Sequence, residues 1–273
     1  MSQIGVIQMN SGEELKQNLT KLEKALDSLA KQGVSLAISP ENCLLFGSPE
    51  QVRQIAEPLT AGPIQRHLSR LCQRYHIGLV VGSFPIQTAS EGYQTTCLVY
   101  DANGNLNASY AKMHLFDVQI DDAHHTYRES AIYQSGSSAV VVESTVGKLG
   151  LTICYDLRFS GQFEALAQLG ANVILVPAAF TRPTGEAHWE VLLRARAIEF
   201  QCWIVAAAQC GQHSHGRETY GHSMIINPWG DVVASLGEEE GELVAEINHQ
   251  QTQHIRQQMP VAQHRRYHAA IKK

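Results

Sequence analysis

Gly150-Leu-Thr-Ile-Cys154-Tyr155-Asp156-Leu-Arg158-Phe159 is a β-rich apolar run that ends on a thiol. A polar break follows, and then a helix-like stretch. The pattern predicts a tight strand-to-helix turn with Cys154 at its corner. Helix N–H groups there would face any negative charge that develops beside the sulfur. A free cysteine by itself is usually a small buried hydrophobe. The weight therefore falls on the residues that accompany it.

Two other segments end in the same manner. Val34 to Ile38 reads as a buried strand that runs through Ser39-Pro40 into Glu41, and Ala108-Ser-Tyr-Ala runs into Lys112. In open α/β sheets, ligands bind beyond the carboxyl ends of the strands. A carboxylate, an ammonium and a thiol at three strand ends complete one reaction. A thiol of ordinary pKa, about 8.5, is mostly protonated at neutral pH and needs a base. Glu41 is the candidate base. Lys112 and the Tyr155 N–H are candidate donors to an oxyanion formed in acyl transfer.

The rest of the chain alternates helices and strands. Leu15, Leu19, Leu22, Leu26 and Leu29 mark one face of a first helix, with Ser11 and Glu14 at capping-box spacing and Gly33 at its end. A second helix is predicted over 63–75, leading into a strand at 77–81. Residues 94–101 and 106–113 read as a hairpin turned by Asn103-Gly104. Residues 117–135 are polar and histidine-rich and read as a long surface loop. Strands follow at 139–143, 148–153, 173–177 and 202–209, with helices at 162–169 and 188–201. Further strands are expected at 220–228, 231–236 and 243–247. Apolar runs without strict alternation indicate strands covered on both faces. We read one α/β domain over 1–273, with 249–273 as a C-terminal arm.

Composition narrows the function. The chain has 273 residues, a net charge of −5 and 44% hydrophobic residues. That balance gives no electrostatic case for nucleic acid or for an anionic membrane. No run approaches the roughly 18 apolar residues of a membrane span. The six cysteines form no C-x-x-C pair, which suits free thiols in a reducing, cytoplasmic compartment. Among 13 histidines, His124-His125 and His213-Ser-His215 lack partners at zinc spacing and read as polar loop residues, so no metal is expected.

Ser39-Pro-Glu41-Asn, Tyr110-Ala-Lys112-Met-His-Leu-Phe and Thr152-Ile-Cys154-Tyr-Asp-Leu-Arg-Phe together resemble the three catalytic signatures of the nitrilase (carbon–nitrogen hydrolase) superfamily. The likeness extends from Val6 to the tail. It implies a Glu-Lys-Cys triad of Glu41, Lys112 and Cys154. It also implies a further glutamate, for which Tyr127-Arg-Glu129-Ser offers Glu129. The implied fold is a four-layer αββα sandwich with two related halves. No cofactor is implied, and assembly as a homodimer or larger oligomer is. Thr184-Gly-Glu-Ala-His188-Trp189, Ala206-Ala-Ala-Gln-Cys-Gly211, Tyr220-Gly-His-Ser-Met and Asn227-Pro-Trp-Gly resemble one branch, the deaminated glutathione amidases. That branch splits glutathione whose amino group has become a keto group into 2-oxoglutarate and cysteinylglycine. The same triad also serves an ω-amidase acting on 2-oxoglutaramate, or a broader amide or nitrile hydrolase. A non-catalytic interaction module is the alternative of another class. An anionic substrate needs cations besides Lys112, so Arg158 and Arg182 are expected substrate-binding residues, with Tyr155, Phe180 and Thr181 lining the pocket.

Overall fold

The computed structural model describes residues 2–267 and arranges them in four layers, helix–sheet–sheet–helix. The first sheet holds β1 (Gln3–Gln8), β2 (Leu36–Ile38), β3 (Gly78–Gln87), β4 (Tyr93–Tyr100), β5 (Leu106–Ala111) and, late in the chain, β12 (Gly241–Glu246). Their order is β12-β1-β2-β3-β4-β5, and Glu57–Pro58 adds to β3. The second sheet holds β6 (Val141–Ser144), β7 (Gly147–Leu151), β8 (Val173–Ala178), β9 (Trp203–Ala208), β10 (Met224–Ile226) and β11 (Val232–Ser235). Their order is β11-β10-β9-β8-β7-β6. In each sheet three strands run parallel, β1-β2-β3 and β7-β8-β9, and antiparallel strands flank them on both sides.

Strand alternation sorts the core. Ile4, Val6, Leu36, Ile38 and Val80 point inward and pack with the second sheet. Ile7, Ala37, Leu79 and Val81 point outward onto α1 (Leu15–Lys31) and α3 (Pro63–Tyr75). Residues of α4 (Ser160–Gln168) and α5 (Arg182–Phe200), among them Phe163, Leu166, Trp189 and Leu193, cover the outer face of the second sheet. Removing these apolar surfaces from water is the main favourable contribution to the fold.

Several expected details change. The capping box at α1 does not form: the Ser11 hydroxyl donates to the Cys43 carbonyl, and Glu14 sits at the N-cap position without a side-chain cap. The β4–β5 connection is longer than two residues, because the Asp101 carboxylate accepts the N–H groups of Asn103 and Asn105. A short helix, α2 (Pro49–Ile55), opens with a Ser48–Gln51 capping box that the sequence reading passed over. Helix α5 begins at Arg182 rather than 188, because Pro183 suits the first turn. Residues 117–135 are not a plain loop: Asp117–Gln119 pairs antiparallel with Thr126–Arg128. In the tail, α6 (His249–Gln258) lies against its own chain, where the Arg256 guanidinium and the Gln201 side-chain amide tie it to the end of α5. The last six residues of the expected arm lie outside the described residues.

Candidate active site

Glu41, Lys112 and Cys154 follow β2, β5 and β7, and the fold brings them to one cavity of about 490 Å³. Lys112 is 1% exposed. Its Nζ donates to Glu41 Oε1 at 2.8 Å and to the Glu129 carboxylate oxygens at 3.0 and 2.9 Å. Glu129 reaches the ammonium because the 117–128 hairpin folds back and delivers it, and Phe116 N–H holds its Oε2 at 2.6 Å.

The second sheet aims Glu41. Ala179 N–H, just past β8, donates to Glu41 Oε2 at 2.9 Å, and the buried Gln209 amide donates to the Glu41 carbonyl at 2.9 Å. The Cys154 thiol faces the same cavity as Glu41 and acts on its carboxyl. These contacts set the protonation states. Burial alone would raise the Glu41 pKa, but the Lys112 ammonium outweighs it and holds the carboxyl below its ordinary range. Burial and the charge of Glu41 push the Cys154 thiol well above the ordinary cysteine value. Burial opposes charge on Lys112, yet Glu129 and Glu41 keep it protonated well above the ordinary lysine value. Burial, reinforced by Glu41, raises the Glu129 carboxyl. At rest the cluster is an ionised carboxylate beside a neutral thiol and a charged amine.

Cys154 opens a 3-10 turn over Cys154–Arg158 with φ of +48°, a left-handed conformation unusual for a residue with a side chain. Such strain costs on the order of 1–3 kcal/mol and persists only where neighbours fix it. Asp156 does the fixing, from full burial. Its carboxylate accepts from Ile153 N–H and Tyr110 O–H on Oδ2, and from His114 N–H and the His114 ring on Oδ1. Tyr110 and His114 flank Lys112 in sequence, so Asp156 locks the thiol turn to the lysine strand. Among the described residues the Tyr155 N–H donates to no acceptor.

The expected pocket residues divide. Tyr155, Arg158 and Phe180 line the cavity. The Arg158 guanidinium lies 5.3 Å from the Phe180 ring centre, and its hydrogen bonds go to His188. Thr181 does not line the cavity: it is buried, its hydroxyl paired with Thr184, and Thr184 takes the lining position. Arg182 does not line the cavity either. It is bonded to Glu186, Glu218 and Glu238 and is already neutralised. Sequence reading missed Arg128 and Arg217, which both line the cavity, and missed the roles of Asp156 and Gln209. Among the described residues there is no cluster of metal-ligating side chains.

Comparison with known proteins agrees in family and fold. The chain matches the carbon–nitrogen hydrolase family model over residues 3–257. It is 43% identical to the deaminated glutathione amidase of Yersinia enterocolitica over 270 residues, which is 98% of this chain and 94% of that protein. Its structure resembles the Caenorhabditis elegans NitFhit protein with a TM-score of 0.89 and 32% identity, covering 100% of this chain and 68% of that one. It also resembles a variant of the amidase from Nesterenkonia sp. AN1, solved with acrylamide added to the active-site cysteine. There the TM-score is 0.79 at 25% identity, covering 96% of this chain and 100% of that one.

Proposed function

This chain belongs to the carbon–nitrogen hydrolase family, and from that premise we propose that it hydrolyses deaminated glutathione to 2-oxoglutarate and cysteinylglycine. The observation that carries the reading is the joined cluster of Glu41, Lys112, Glu129 and Cys154 in a cavity that also presents Arg158. The cluster suits amide hydrolysis, and Arg158, which pairs with no carboxylate among the described residues, suits a carboxylate on the substrate.

Each group takes a role from its state. Glu41 accepts the thiol proton as Cys154 Sγ attacks the amide carbonyl. The Lys112 ammonium and the Tyr155 N–H hold the oxyanion. Glu41 returns the proton to the leaving nitrogen, cysteinylglycine departs, and a 2-oxoglutaryl thioester remains on Cys154. Water, deprotonated by Glu41, then releases 2-oxoglutarate and restores the thiol. Glu129 keeps Lys112 in place and charged.

We further propose that the protein acts as a homodimer in the cytoplasm. The exposed apolar side chains Val191 and Ile198 on α5, with Trp229 and Val233 beyond it, support an interface between copies. Six free cysteines support a reducing compartment. Among the described residues no helix is long and apolar enough to cross a membrane.

Steady-state rates with deaminated glutathione and with 2-oxoglutaramate test the substrate. A higher kcat/KM for deaminated glutathione is expected. A strong preference for 2-oxoglutaramate would replace the reading with that of an ω-amidase.

A further inference from the structure

Arg217 lies on the strand-connecting segment between Cys210–Gln212 and Glu218–Tyr220, and its side chain lines the cavity. Its guanidinium lies over two rings, 4.6 Å from the centre of Phe46 and 5.2 Å from that of Tyr127. Its one hydrogen bond among the described residues goes from Nη2 to the Ala179 carbonyl at 3.3 Å. The Nε–H is buried and has no partner. No carboxylate pairs with it among the described residues, although the adjacent Glu218 is close by and is given to Arg182 instead.

The contrast between these arginines is chemical. A guanidinium carries five N–H donors in a planar fork. Arg182 spends its fork on three protein carboxylates. Arg217 lies against two aromatic rings, spends one donor on a carbonyl and lines the cavity with no carboxylate partner among the described residues. Arg217 is half-buried, and its charge has no counter-ion among the described residues. Such an arrangement suits an anion in the cavity, and a fork of donors favours a carboxylate.

The position of Arg217 selects which carboxylate. Its hydrogen bond to the Ala179 carbonyl sets it beside the residue whose N–H holds Glu41, and its charge is felt at the Glu41 carboxylate. In the proposed reaction Glu41 hands its proton to the leaving nitrogen, so the leaving group lies on the Glu41 side. Arg158 stands on the thiol turn itself, over Tyr155 and Phe180, on the side of the acyl group. Deaminated glutathione carries one carboxylate on each side of the scissile amide.

We infer that Arg217 is a specificity-determining residue that binds the terminal carboxylate of the leaving cysteinylglycine. The inference rests on the proposed substrate. It explains how the site would favour a tripeptide-like amide over 2-oxoglutaramate, whose leaving group is ammonia and offers Arg217 nothing.

The test compares deaminated glutathione with its analogue amidated at the glycine carboxylate, on wild type, Arg217→Gln, Arg217→Lys and Arg128→Gln. In wild type the acid should exceed the amide in kcat/KM by about 10- to 100-fold, the size of one charge-assisted contact. The ratio should fall to near one in Arg217→Gln, take an intermediate value in Arg217→Lys, and persist in Arg128→Gln. A merely structural role for Arg217 would slow both substrates and leave the ratio unchanged, which overturns the inference. A wild-type ratio near one overturns it without any variant, as does a collapse of the ratio in Arg128→Gln alone. If the wild type does not turn over deaminated glutathione at all, it is the substrate reading that fails.

Discussion

Strand β1 of the first sheet and strand β7 of the second occupy the same place in the same plan. Each opens a run of three parallel strands and has an antiparallel neighbour on its other side. Ile4 pairs with Leu36, and Leu149 pairs with Val173. Setting Ile4 on Leu149, and Leu36 on Val173, places Gly5 on Gly150 and Pro40 on Pro177. Both glycines permit close helix approach: a Cβ on Gly5 would lie 2.9 Å from Leu29 of α1, and one on Gly150 would lie 3.2 Å from Leu166 of α4. The same alignment places Met9 on Cys154, and Glu41 on Ala178. Packing repeats between the halves, and chemistry does not. The first half supplies the two charges. The second supplies the thiol, together with the Ala179 and Gln209 donors that aim Glu41. Neither half holds a complete site.

The largest break in this comparison is Cys154→Ala, which gives the second half an inert residue where the first already has one in Met9. Turnover should fall by about 10⁴-fold or more, while the circular dichroism spectrum stays that of the folded protein. Glu41→Gln and Lys112→Gln test the charged half and should each lower kcat by roughly 10³-fold, the scale of a lost base or oxyanion donor. Lys112→Gln also leaves Glu41 and Glu129 facing each other without a cation, so its thermal midpoint should drop more than that of Glu41→Gln.

Asp156 joins the halves. Asp156→Asn keeps the shape but turns an amide donor toward N–H and O–H donors. A loss on the order of 3 kcal/mol in unfolding free energy is expected, with kcat down about 10²-fold as Cys154 drifts. Chemical denaturation and steady-state kinetics read the two effects.

His213 makes a weaker bridge. It stacks on Phe46 at 3.9 Å, its Nδ1 meets the Ser11 carbonyl, and its Nε2 meets the Thr219 hydroxyl. The carbonyl can only accept, so Nδ1 carries a proton. Burial holds its pKa down to about 4 from 6.5. The unfolded chain therefore binds a proton that the folded chain refuses. This contribution to stability is complete above pH 6.5 and is lost as pH falls toward about 4. The thermal midpoint should decline over that interval, and His213→Gln should flatten the decline.

Activity should show a different profile. The thiol is raised and Glu41 lowered, so the nucleophile is made during attack rather than stored as thiolate. Between about pH 6 and 8 kcat/KM should stay level, without the tenfold rise per pH unit of a thiol titrating near its ordinary value of about 8.5. Such a rise in the pH–rate profile would show that Glu41 is not the base.

Much of the site is legible in the sequence because buried parallel strands are continuous apolar runs that stop abruptly. Glu41, Lys112 and Cys154 each stand just past such a stop, and α3 is equally plain between Pro63 and Tyr75. What resists reading is whatever depends on distant partners. The hairpin that delivers Glu129 is built from polar residues with no period to reveal it. Asp156 looks like an ordinary turn residue until Tyr110 and His114 arrive from another strand. Arg182 and Arg217 look alike in sequence. Only the meeting of Glu186, Glu218 and Glu238 around one of them tells a neutralised arginine from one that faces the cavity.

The most direct measurement is the identity of the acylated residue. Wild-type protein turning over deaminated glutathione is quenched in acid, digested and mapped by mass spectrometry. A 2-oxoglutaryl thioester on the Cys154 peptide is predicted, absent from Cys154→Ala. The acyl group on any other side chain, or acylation that survives in Cys154→Ala, would contradict a thiol from one half worked by the charges of the other.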